Sequence, residues 1–255
     1  MLLVAGPDHS RRPREGVRWL RDRFTTDEVW VRLGVRCLAA DRATFDEMRT
    51  ADDLREAVVA FDKAAAAEIT SLSRMWRQVA LRSGWDGVPM VRRALALGSE
   101  LTRSPNETRM RLVWVLDARL PPPLVNQPVW SDTGILLGYA DLLDPLTGTV
   151  GEYDGADHRR ARRHAKDVAR EERMRRHGLE YFKVTGPDID DHRLVAHRMI
   201  STRERARAIA PERRRWTLTP PRGREAPPDL DDILDERDAR RALHDLWTHG
   251  SQSVP

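Results

Sequence analysis

The sequence predicts an α/β protein: a mixed sheet of four to five strands flanked by helices, preceded by a mainly helical segment with a small β portion. Three observations predict it. From Ala51 onward apolar residues recur at three- and four-residue intervals, the helix period. Residues 104–185 read in order as helix, strand, strand, strand, helix, strand. Within them, GILLGYADLLDPLTGTVGEYDG (134–155) joins two apolar runs through a Pro-Leu-Thr-Gly turn, the pattern of a β-hairpin.

Taken in order, residues 1–48 hold short β-like pieces, GVRWL (16–20) and EVWVRLGVRCL (28–38), between polar turns. Leu54, Val58, Phe61, Ala65, Ile69, Leu72, Trp76 and Val79 then form a stripe that reads as helix-packing core. Ser71 offers an N-cap for a helix running toward Arg82, and a further helix is expected over 88–98. This N-terminal segment, residues 1–100, gives way to a core over 101–190.

SPNETRMRLVWVL (104–116) opens the core with Ser104 as N-cap, Pro105 at the first helical position and Glu107 at the third, a capping box. PPPLVNQPVW (121–130) is a rigid connector running into a strand. If Pro145 to Gly148 form a four-residue loop in the hairpin, Asp141 falls opposite Glu152. A slip of one residue would put the two carboxylates on opposite faces. Residues 159–177 form a long basic helix with Gly178 at its C-terminal cap, LEYFKVT (179–185) a strand, and 188–210 helix again, with a helical extension over 191–215. After residue 216 the chain turns Pro-rich, TLTPPRGREAPPDLDD, and ends in an amphipathic stretch over 230–247 that docks on the body or on a protein partner.

The composition narrows the function classes. Hydrophobic residues make up 40% of the 255, enough for a packed core, and 33% are charged. Net charge is only +4, yet just three of the 44 basic residues are lysine: Lys63, Lys166 and Lys183. A GC-rich coding bias accounts for the arginine excess as a whole, but it singles out each lysine. Cys37 is the only cysteine, which excludes an internal disulfide and a cysteine zinc site. The apolar start is too short for a signal peptide, and no apolar run approaches the ~18 residues of a membrane span. A soluble, cytoplasmic protein is expected.

Chemistry centres on carboxylates. Asp141 lies inside an apolar strand, LLGYADLLDP, where an unpaired carboxylate is costly, so pairing or ligation is expected. Glu152 and Asp154 share a strand face, and arginines follow at once in GEYDGADHRR (151–160). Clustered carboxylates without cysteines or a histidine pair suit a hard cation such as Mg²⁺. Such an ion activates water against a phosphodiester, and nearby arginines hold a polyanion through its backbone. Each residue also has a plainer reading: Glu107 as a helix cap, Glu152 and Asp154 as a polar strand end, and the arginine run as a solvated helix face.

These residues carry a resemblance. S-P-x-E-T-R at 104–109, A-D-L at 140–142, E-Y-D-G at 152–155 with His158, and K-D-x-x-R at 166–170 resemble the PD-(D/E)XK, or restriction-endonuclease-like, nuclease superfamily. The resemblance is to its very-short-patch-repair-like branch, and most of all to an actinobacterial set of endonuclease-domain proteins. It covers roughly 101–190, and residues 20–100 are similar to the segment preceding the core in that set. It implies an endonuclease core binding DNA and Mg²⁺ or Mn²⁺, with Asp141 and Glu152 as metal ligands, Glu107 as a further ligand, and His158 as general base or phosphate contact. Asp154 stands where the pattern has its lysine, so it becomes a further ligand and Lys166 the substitute. The basic helix would meet phosphates through Arg159, Arg162, Arg163, Lys166 and Arg170. Many members cut as dimers, so a homodimer is one expectation. The alternative is a catalytically impaired DNA-binding or antitoxin-like protein, for which the exchange of lysine for Asp154 is the main argument.

Overall fold

The computed structural model describes residues 2–6, 12, 15–155, 160–221, 223 and 227–250, without the side chains of 160–167 and 243–250. Four short strands come first. β1 (Leu2–Ala5) pairs in parallel with β2 (Arg18–Arg21), and β3 (Val29–Arg32) pairs with β4 (Val35–Leu38) as a hairpin. The hairpin turns on Leu33 and Gly34, both at positive φ (51° and 77°), as a two-residue turn with matching twist requires.

α1 (Ala40–Arg49) follows directly, where the sequence pattern suggested no helix before Ala51. Its inward face carries Arg42 and Asp46 beside Phe45 and Met48, so the apolar period is too short to read. Arg42 Nε donates to Asp46 Oδ2 at 2.9 Å, and Arg49 Nε donates to Asp46 Oδ1 at 2.7 Å. α2 (Leu54–Ala66), α3 (Leu72–Leu81) and α4 (Val88–Leu97) complete the helical part. Ser71 caps α3 as expected, accepting Arg74 N–H at 3.2 Å. The expected core stripe is corrected at two positions, since Ile69 and Trp76 are 44% and 43% exposed. The chain turns between α2 and α3, with Glu68 at φ 50°, and that turn breaks the phase the stripe assumed.

The helical part is joined to the rest through α5 (Pro105–Leu112), whose Leu112 packs into the same core as Phe45, Val58, Phe61 and Val91. The junction is also polar. Buried Asp62 on α2 accepts from Ser99 N at 2.8 Å, Thr108 Oγ1 at 2.9 Å and Arg111 Nη2 at 2.7 Å. α5 continues into a wider π-type turn over Val113–Asp117.

The sheet that follows is mixed and five-stranded, in the order β8-β7-β6-β5-β9. β5 (Leu124–Ser131), β6 (Leu136–Asp144) and β7 (Thr149–Asp154) run antiparallel, and α6 (Arg160–Arg176) crosses to β8 (Glu180–Thr185), parallel to β7. β9 (Trp216–Thr217) adds two edge residues where a linker was expected. Pro128 in β5 has no N–H to offer, which suits the unpaired remainder of that edge. One face packs on α5 and α7 (His192–Arg207) through Trp114, Leu142, Phe182, Val195 and Met199. The other carries Leu143, Val150 and Tyr181 against Met174 of α6. The chain is thus α/β, with helices flanking a mixed five-stranded sheet.

α8 (Leu230–Gly250) returns to the helical part. Leu234 is buried, Leu230 packs against the N-terminal core, and Arg74 of α3 binds Asp235 at 2.6 Å and Asp238 at 2.7 Å. Leu230 and Leu234, on its described part, are thus spent on the body of the protein. Among the described residues, no helix is long and apolar enough to cross a membrane.

Asp62 gives this architecture a direct test. Asp62→Ala leaves Arg111 buried without its counter-charge, which costs about 3–5 kcal/mol. Urea or thermal unfolding should show that loss, and a change below about 1 kcal/mol would mean that apolar packing alone holds the junction.

Candidate functional site

The site is built by the β6–β7 hairpin. Leu142 pairs with Gly151, Leu143 with Val150 and Asp144 with Thr149, leaving Pro145–Gly148 as the four-residue loop the sequence suggested. Continuing that register by one residue sets Asp141 against Glu152. Side chains alternate across a sheet, and Leu143 and Val150 face α6, so two residues further along Asp141 and Glu152 face α6 as well. The main-chain ladder ends at Gly151, and Asp141 Oδ2 takes over by accepting Tyr153 N–H at 2.9 Å.

Glu152 is 7% exposed, and both its oxygens are engaged. Oε2 binds Arg170 Nη2 of α6 at 2.7 Å, and Oε1 accepts from the Tyr181 hydroxyl at 3.1 Å. Across the parallel β7–β8 pairing, Glu152 is matched with Lys183. Lys183 Nζ is held by Glu171 of α6 at 2.6 Å.

Both carboxyls bind protons unusually tightly. Burial pushes Glu152 up to about 7, with the Asp141 charge adding to it, against the opposing pull of Arg170, Tyr181 and Lys183. Burial likewise pushes Asp141 up to about 6, and Glu107 adds to that. The Tyr153 N–H, Arg170 and Arg103 pull Asp141 the other way. Tyr181 is raised by its own burial and by Glu152. Two acids that share a face, one buried and one half-buried, and hold their protons near neutrality mark a place suited to exchange a cation or a proton.

The other candidate residues fall as follows. Glu107 serves as a cap, with a difference from the expected box. Ser104 Oγ accepts Glu107 N–H at 3.3 Å, but the Glu107 carboxylate reaches past Ser104 to Arg103 N–H at 2.9 Å. It also accepts from Ser104 Oγ at 3.1 Å and from Asn126 Nδ2 at 3.2 Å. Its charge reaches Asp141, while its oxygens are occupied by the cap. Asp154 is exposed at the end of β7, paired in register with Thr185, and is not drawn in beside Glu152. Arg170 points inward to Glu152. His158 and Arg159 lie outside the described residues, as do the side chains of Arg162, Arg163 and Lys166. Among the described residues no three His, Cys, Asp or Glu side chains form a group that could hold a metal ion. The described site is therefore a two-carboxylate one.

Sequence reasoning missed Tyr181, Lys183 and Glu171. Their place depends on the β7–β8 register, which a helix of 17 residues separates from any local pattern. One usable signal was the scarcity of lysine, which singled out Lys183 as well as Lys166. Comparison with protein-family models, curated proteins and solved structures returns no match.

Raised acids make stability depend on pH with a definite sign. Their folded values lie above the ordinary carboxylate range, so their contribution is full below about pH 4 and is lost as pH rises through about 6–7. Asp141→Asn keeps an oxygen for the Tyr153 N–H and removes the charge. It should raise thermal stability at pH 8, by about 1–3 kcal/mol as an upper range, and leave it unchanged near pH 4. Equal effects at both pH values would show that Asp141 does not carry an ionisation penalty.

Proposed function

We propose that the chain is a metal-dependent DNA endonuclease with a restriction-endonuclease-like core, hydrolysing phosphodiester bonds at Asp141 and Glu152. One observation carries this reading: two acids on neighbouring strands, Glu152 buried and Asp141 half-buried, face the same way and retain protons near neutrality. Packing alone gives no reason to bury such a pair, because each costs stability when ionised.

The donor set fits a hard divalent cation. Mg²⁺ or Mn²⁺ is held by one or two carboxylates, with water and substrate phosphate completing its shell. The guanidinium of Arg170 already stands beside Glu152 as a cation. Asp141 and Glu152 would hold the metal, which when bound supplies an activated water and charge neutralisation at the phosphate. The chain's own residues do the rest. Tyr181 fixes one oxygen of Glu152, and the Tyr153 N–H fixes one oxygen of Asp141. Lys183 takes the part left open by Asp154, because cross-strand pairing sets it beside Glu152 on the same face. His158, Lys166 and the arginines of the helix start remain assigned to phosphate and proton handling through the family resemblance.

A second reading is a nuclease-fold protein that binds DNA without cutting it. The described site favours it in one respect: Glu152 is already neutralised by Arg170, and only two carboxylates converge. Plasmid nicking separates the two. Wild type should nick supercoiled DNA with Mg²⁺ or Mn²⁺ and not with a chelator, and Asp141→Ala should lower the rate by at least about 100-fold. Undiminished cleavage by that variant removes Asp141 from the chemistry; no cleavage by pure wild type with either metal favours the binding reading.

The metal needs both acids ionised, so the nicking rate at fixed metal should climb through about pH 6–7 and level off above. A rate falling over that interval contradicts the assignment. Affinity for duplex DNA should drop steeply between low and high salt if arginines of α6 track phosphates, and a flat response removes that surface from the reading.

A further inference from the structure

We propose that Arg170 is a resident counter-cation that a divalent metal ion must displace from Glu152, so that loading of the site is coupled to release of one anchor of α6. The inference rests on the reading of Asp141 and Glu152 as metal ligands and adds how access to that site is controlled.

The geometry supplies the competition. Arg170 Nη2 lies 2.7 Å from Glu152 Oε2, a charge-assisted hydrogen bond, and Tyr181 occupies Oε1 at 3.1 Å. A metal ion binding Oε2 must come up against the guanidinium already on that oxygen, and two cations at so short a separation repel strongly.

The coupling follows from where Arg170 sits. Over 168–176, α6 is held to the sheet by Arg170 on Glu152, Glu171 on Lys183, Arg173 Nε on the Leu137 carbonyl at 3.2 Å, and Met174 in the core. Losing the Glu152 bond frees the first of these anchors and leaves the later ones in place. The helix is then loosened from its N-terminal side.

Mn²⁺ alone serves as the probe, read by the electron paramagnetic resonance of the free ion at about pH 8, well above the ordinary carboxylate range. Arg170→Gln should bind Mn²⁺ at least about tenfold more tightly than wild type, Arg170→Lys close to wild type, and Glu152→Gln far more weakly. In wild type, Mn²⁺ should speed amide hydrogen exchange over 168–172, and in Arg170→Gln it should change little. Wild-type binding with Arg170→Gln equal or weaker overturns the inference and leaves the metal reading standing. Should Arg170→Gln fail to fold, unchanged or slower exchange over 168–172 in Mn²⁺-loaded wild type overturns it equally. If neither wild type nor Arg170→Gln binds Mn²⁺ at millimolar concentration, the metal reading itself fails and the inference falls with it.

Discussion

Everything at the site depends on the register of one hairpin, and Asp144 sets that register. It is 3% exposed at the end of β6 and spends both oxygens on the turn that follows. Oδ1 accepts Leu146 N–H at 2.9 Å; Oδ2 accepts Thr147 Oγ1 at 2.8 Å and Arg203 Nε of α7 at 2.6 Å. Those bonds hold its charge below the usual carboxylate range despite burial. The turn therefore has one length, and Asp144 meets Thr149. A slip of a single residue would send Asp141 to the α7 face and leave Glu152 alone with Arg170.

Asp144 and Asp141 show what burial means for an acid in each setting. Three donors surround Asp144, and it ionises more easily than in water. Asp141, three residues earlier on the same strand, has one main-chain donor and a neighbouring Glu107, and it ionises with difficulty. The first is a structural acid whose charge is fully answered. The second, half-buried beside Glu152, has fewer donors, and burial outweighs the cations near it. That contrast within one strand, more than the presence of acids, separates the site from the scaffold.

Local chemistry was legible in the sequence. Ser71 and Ser104 cap the helices they were expected to cap, the Pro145–Gly148 loop has the expected length, and α6 and β8 fall within a residue or two of their reading. Those features rest on contacts within a few residues. α1 was missed because its buried face is built of Arg42 and Asp46, whose pairing no apolar pattern reveals. β9 was missed because two edge residues leave no period. Glu107 was half legible: the helix start was right, but its carboxylate reaches Arg103 and Asn126, and only the folded chain decides that. Arg170 read as an outward cation because a basic helix usually faces water; its inward turn needs the buried Glu152 as partner.

Asp154 is where sequence pattern and placement part most clearly. Alternation puts Glu152 and Asp154 on one face, yet one is buried and the other exposed at the end of β7. Sharing a face does not mean sharing a site. The lysine set beside Glu152 is the residue across the parallel pairing, Lys183, rather than one further along β7. A site with two carboxylates also leaves most of a magnesium shell to water and phosphate. On the reading proposed above, Asp141 and Glu152 would hold the ion and substrate phosphate would complete its shell, with Arg170 answering Glu152 beforehand.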